Sequence, residues 1–236
     1  MTNMYMLRSR KLIWSILLLL ASTSALAADN AARVLRELDL AAVKFKNVAA
    51  DFEWQTVQTT PIPDTETQSG TIYFERSGDA LQMSAHIRLM NHKEVSKVLS
   101  YSNGTATLYE ARTNDFRVFR AGGRQGQLES ILLLGFGSSG KEILGKWEIT
   151  FIRQEDLKGV KCQVLELRPK DPELKKNLRL ATVWVDALRG VTLKQILDAD
   201  QGTRRVCVYT NLRVNTHLPA DAIVRLDAQD VRGENR

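Results

Sequence analysis

Polar and apolar positions alternate along most of this chain with the two-residue period of half-buried strands. The clearest block lies within residues 178–219. Alternation runs over 180–186, bends at Ala187-Leu188-Arg189-Gly190, and resumes over 191–197. It bends again at Asp200-Gln201-Gly202 and ends in a strand over 204–214. Each bend carries a glycine with an aspartate close by, which suits tight hairpins whose central residues take positive φ. The period puts Ala181, Val183 and Val185 on one face, and likewise Val206, Val208, Leu212 and Val214. The block predicts an antiparallel meander whose apolar face something else must cover.

The same period runs upstream. Val48, Ala50, Phe52 and Trp54 alternate with Ala49, Asp51, Glu53 and Gln55. Residues 59–69, with two prolines and many polar side chains, read as a loop. A strand over 70–76 sets Ile72 and Phe74 opposite Tyr73 and Glu75, and Leu81, Met83, Ala85, Ile87 and Leu89 face away from Gln82, Ser84, His86 and Arg88. Asn103-Gly104, between strands over 95–101 and 105–110, is a strong type I′ hairpin signal. Residues 116–119 complete this region, and strands resume with Trp147-Ile149-Phe151 and over 160–167. The period becomes helical over 29–46, where Leu35, Leu38, Ala42 and Phe45 form one stripe behind a cap at Asp29 or Asn30. It breaks over the glycine-flanked 122–145, where short helices are expected at 127–134 and 141–144. The reading is α+β, mainly β: one domain built on a long antiparallel sheet with helical insertions.

The first residues follow neither period. Arg8, Arg10 and Lys11 form a positive n-region, 12–20 an apolar h-region, and Ala25-Leu26-Ala27 a small-x-small cleavage site. A signal peptide over 1–27 and a mature domain over 28–236 are expected, because the apolar run is shorter than the roughly 20 residues that span a bilayer. With no cysteine near the cleavage site, the mature protein is expected to be unlipidated there, exported, soluble and periplasmic. Of 33 Lys+Arg, three lie in the leader, leaving 30 against 27 Asp+Glu. So mild a balance, without a charge run, gives no reason to expect a nucleic-acid partner.

Candidate chemistry changes the picture little. His86, His92 and His217 lack metal-ligand spacing, and His86 falls on the polar, solvated face of its strand. The chain has no GxSxG, HExxH, Walker-A or GxGxxG pattern, and Asp198-Ala199-Asp200 sits where a hairpin turn belongs. Neither an enzyme nor a metal or other cofactor is expected. Cys162 and Cys207 lie on the first and fourth strands of the meander. Three inter-strand steps come to roughly 14 Å, beyond the reach of a disulfide, so both are expected to be free.

A broad sheet with one long helix and one short leucine-rich segment to cover it leaves apolar area unfilled. Trp54, Met83, Trp147 and Trp184 are large side chains suited to lining a concavity, with Phe52, Ile87, Leu89 and Phe151 as further candidates. Composition alone favours an ordinary packed core, and one strand slip would exchange the faces of Trp54 or Trp184.

Several landmarks occur in order: the first helix, Phe52-Glu53-Trp54, Gly70-Thr71-Ile72-Tyr73-Phe74-Glu75-Arg76, Tyr101-Ser102-Asn103-Gly104, Leu132-Leu133-Leu134-Gly135, Val183-Trp184-Val185-Asp186 with Gly190, Asp200-Gln201-Gly202, then Asn211, Asn215 and Pro219. Together they resemble the LolA-like periplasmic lipoprotein carriers over nearly the whole mature chain. The resemblance implies an unclosed antiparallel β-barrel with helices forming a lid over an apolar cavity. It implies a monomeric carrier of lipoprotein or lipid acyl chains, working between an inner-membrane donor complex and an outer-membrane acceptor. The family's gating arginine corresponds to Arg76, and its lid to Leu132, Leu133 and Phe136. Ser77 departs from the family, which usually has proline there. The other reading compatible with the fold is a module that senses a lipid or partner and transports nothing.

Overall fold

The computed structural model describes residues 29–77, 80–120, 131, 134–199 and 202–224. The leader, the expected helix over 127–134 apart from Ile131 and Leu134, and the lid residues Leu132 and Leu133 lie outside the described residues.

Hairpin follows hairpin through β1 (Asn47–Gln58), β2 (Asp64–Ser77), β3 (Ala80–Met90), β4 (Lys93–Ser102), β5 (Thr105–Glu110) and β6 (Asp115–Arg120). A second run holds β7 (Trp147–Leu157), β8 (Val160–Pro169), β9 (Leu178–Asp186), β10 (Val191–Ala199) and β11 (Thr203–Val214). Asn103 and Gly104 both take positive φ, as a type I′ turn requires. The two runs join where β11 pairs with β1, giving one 11-stranded sheet in the order β6-β5-β4-β3-β2-β1-β11-β10-β9-β8-β7. All neighbours are antiparallel, and β6 and β7 remain as edges, so the sheet curls into an unclosed barrel. The described residues include α1 over 29–44, α2 (Gly140–Lys146) and α3 (Pro172–Lys175), and Ile131 is also helical. A capping box between Ser139 and Glu142 starts α2.

The expected loop over 59–69 is shorter. Backbone pairing runs from Gln58↔Asp64 to Phe52↔Gly70, so β2 begins at Asp64. This end of the hairpin projects past the core, and with nothing to bury it carries polar side chains on both faces.

Two bulges reset faces that a strict period assigns wrongly. Opposite β1, β11 carries an extra residue near Asn211, whose φ is 51°. Before it the inward residues are Cys207 and Tyr209; after it Leu212 and Val214 pack on the same cluster. Val206 and Val208 therefore do not share the face of Leu212 and Val214. A register shift between Ile87 and Leu89 likewise turns Leu89 out of the buried face, leaving it 39% exposed. In α1 the buried stripe is Val34, Leu38, Ala41 and Phe45, one residue out of phase with expectation at two positions.

The inner face carries two apolar clusters. One gathers Val48, Ala50, Phe52, Ile72, Phe74, Met83, Ala85, Ile87 and Tyr101 with Cys207 and Tyr209. The other gathers Trp147, Leu165, Leu167, Ala181, Val183 and Val185 under Val34 and Leu38 of α1 and Ile143 of α2. Asn215 ties the helix to the sheet: its Nδ2 donates to Lys44 O, and its Oδ1 accepts from the amides of Lys46 and Asn47. The outer face has its own cover. Leu218, Ala222 and Ile223 pack on Ala49 and Tyr73, the Val224 amide donates to Ser84 Oγ, and His86 Nε2 bonds Ala222 O at 3.2 Å. His86 is thus half-buried beneath the C-terminal segment rather than solvated.

Both cysteines are free. They lie three strands apart on opposite faces: Cys162 in an outer cluster with Val164, Trp184 and Leu193, and Cys207 inside. Among the described residues, no helix is long and apolar enough to cross a membrane.

Candidate functional site

The seam between the two inner clusters is filled by residues 134–137. Leu134 belongs to the α1 side, while Phe136 reaches into the other. The segment docks as a short added strand on the free start of β10. Thr192 N donates to Gly135 O at 2.7 Å, Gly137 N donates to Gly190 O at 3.1 Å, and Phe136 bridges Val191. The buried Gln195 amide donates to Leu134 O. Gly135 and Gly137 take φ of +96° and +71°, and a Cβ on Gly137 would sit 2.3 Å from the Phe45 ring. Only glycine lets the backbone lie this flat on the interior.

The plug is aromatic. The Phe136 ring stacks on Phe74 at 4.3 Å between centroids and meets Tyr209 edge-on at 4.9 Å. Burial holds the Tyr209 phenol well above its ordinary pKa, so it stays neutral. Phe52 and Trp54, two residues apart on β1 and hence on one face, pack their rings 4.2 Å apart beside this group.

Arg76 closes the seam from the β2 side. Its Nη2 donates to Gly137 O at 3.0 Å, while its backbone amide donates to Lys46 O. The side chain is half-buried, and Nε is buried with no partner among the described residues. A hydrogen bond from a charged donor is worth about 1.5–3 kcal/mol, and a buried unpaired donor costs about 1–3 kcal/mol. The unpaired Nε offsets part of that bond, so the tie favours the closed arrangement by on the order of 1 kcal/mol.

The nominated residues divide by face. Phe52, Trp54, Met83 and Ile87 point inward on one side of the seam, and Trp147 and Phe151 on the other. Leu89 is turned out by its bulge. Trp184 is on the outer face, next to the inward Val183 and Val185, with Lys194 Nζ 4.6 Å from its ring. Phe45, Tyr209 and Gln195 were not nominated. Phe45 was legible in the helical stripe, Tyr209 was hidden by the Asn211 bulge, and an interior glutamine leaves no periodic trace.

An unclosed antiparallel barrel with helices over its concave face is the architecture the resemblance implies. The fold is LolA-like. No protein-family model matches the sequence, and no curated protein does. Among solved structures, the chain is similar to MucB with a TM-score of 0.50 at 13% identity, over 85% of this chain and 64% of MucB, so it spans less than two thirds of that protein. It is also similar to a LolA superfamily protein from Nitrosomonas europaea (TM-score 0.40, 11% identity, 83% of this chain and 97% of that one). A third is the Mycobacterium tuberculosis lipoprotein LppX (TM-score 0.45, 12% identity, 80% and 98%). At these identities the likeness is one of fold. Residues 134–137 cover the interior between the two clusters, and Arg76 ties them to β2.

Proposed function

We propose that this LolA-like protein is a periplasmic carrier that takes acyl chains of lipoproteins or other lipids into its apolar interior and shuttles them toward the outer membrane. The observation that carries this reading is the tie between Arg76 and Gly137 O over the Phe136 plug. A permanently solid core gains little from a half-buried guanidinium at its seam. A lid that must swing aside needs a closure of well-defined shape and small net energy. In the carrier, residues 134–137 lift, Phe136 leaves Phe74 and Tyr209, and a chain takes its place. Exposing one phenyl ring costs about 1.5–3 kcal/mol, while each buried methylene contributes about 0.8 kcal/mol, so a chain of about ten methylenes outweighs the displaced ring. A cleaved leader over 1–27, an inner-membrane donor complex and an outer-membrane acceptor belong to the same reading.

Uptake of a fluorescent fatty-acyl probe tests it. Trp54→Glu, on the inner face, should abolish uptake with near-native circular dichroism, and Trp184→Glu, on the outer face, should keep it. Equal uptake in wild type and Trp54→Glu would refute an interior site. The second reading, a sensing module that stays shut, is favoured by the rings that already meet across the interior. It predicts reproducible capture of one partner and no acyl uptake.

A further inference from the structure

The inner face does not stop at the packed clusters. It continues onto the arm formed by β4, β5 and β6, where the register lays out three cross-strand rows. The row nearest the core is Met83, Tyr101, Ala106 and Phe119; the next is Ala85, Leu99, Leu108 and Arg117; the last is Ile87, Lys97, Glu110 and Asp115. Tyr101 is buried and Leu99 and Ala106 pack on the core, yet Phe119 is 56% exposed. Successive rows stand about 7 Å apart, two residues along a strand. Within about 14 Å the wall passes from wholly apolar to charged. A cavity of about 680 Å³ opens over the charged end, lined by Val95, Lys97, Leu108, Glu110, Arg112 and Arg117 among others.

The charges there are not evenly matched. Lys97 Nζ holds Glu110 at 2.8 Å with both side chains only about one-fifth exposed, and Arg117 Nε lies 3.5 Å from Asp115. Arg112 has no ion pair among the described residues, so the lining carries one more cation than anion. We infer that this arm is the headgroup end of the ligand site, and that it selects an amphiphile bearing an anionic, phosphate-type head over a neutral one. The acyl chain runs along the Leu99–Ala106–Phe119 surface toward the interior while Arg112 and Arg117 meet the head. Guanidinium forks suit phosphate oxygens, and the apolar rows make the chain part of the recognition. The inference rests on the acyl-carrier reading and adds a headgroup preference to it.

Binding of 1-oleoyl lysophosphatidic acid and of 1-monooleoylglycerol to the mature protein, by competition with a fluorescent acyl probe, separates the cases. The phosphate-bearing amphiphile should bind roughly three- to tenfold more tightly at low salt. That gap should close in high salt. It should also close in the Arg112→Ala/Arg117→Ala variant, whose affinity for monooleoylglycerol should be unchanged. Equal affinities in wild type would overturn the headgroup site and leave the acyl reading standing. Failure of both amphiphiles to bind would remove the acyl reading and the headgroup site with it. Displacement of bound lysophosphatidic acid by millimolar inorganic phosphate alone would assign the arm to free anions and overturn recognition of an amphiphile.

Discussion

Single side chains in this protein matter through where the backbone lets them stand. Gly137 combines a positive φ with the Phe45 ring beneath it. Gly137→Ala adds left-handed strain and a steric conflict, so it should cost about 1–2 kcal/mol and lower the melting temperature by roughly 2–8 °C in calorimetry. The two thiols supply a pH-dependent contribution. Burial pushes Cys162 and Cys207 up from 9.0 to about 11. The folded state therefore holds these protons more tightly than the unfolded one. Their contribution is complete below pH 9 and is lost as pH rises from 9 to 11, about 2 kcal/mol per thiol at the upper end. Denaturant titrations across that range should give a steeper fall in wild type than in Cys162→Ala/Cys207→Ala. Both thiols should also be alkylated after denaturation without reductant.

At the scale of elements, the bulge at Asn211 sets the face of the last third of β11. Its αL backbone suits asparagine, and its Nδ2 donates to Asp51 Oδ2 at 2.7 Å. Asn211→Val should lose both supports and cost about 1–3 kcal/mol in urea unfolding, whereas Asn211→Gly should cost less. These bulges also explain what could be read from the sequence. Strand existence, the Asn103-Gly104 turn, the α2 helix and the separation of the cysteines follow from period and turn chemistry, and they are local. The faces of Leu89, Val206 and Val208 are not local, because one extra residue opposite a neighbouring strand inverts everything beyond it. Trp184 is out of place for a related reason. Its neighbours Val183 and Val185 face inward, and nothing in the strand itself marks an outer apolar cluster as the place for the larger ring. His86 read as solvated because the segment that covers it lies 136 residues further along the chain.

For the whole molecule, the account is a barrel left open between β6 and β7, closed over its interior by α1 and residues 134–137, and tied by Arg76. Closure competes with cargo, so apparent affinity is the intrinsic affinity reduced by the open fraction. Removing about 1.4 kcal/mol of closure would raise a small open fraction about tenfold. The most direct measurement is the uptake and release of a fluorescent acyl probe by wild type and Arg76→Leu, followed in stopped flow with acceptor vesicles as the sink. The account predicts tighter uptake by Arg76→Leu, up to about tenfold, and correspondingly slower release to the vesicles. Uptake and release rates unchanged by the substitution would contradict it and reduce Arg76 to a surface residue that happens to touch Gly137.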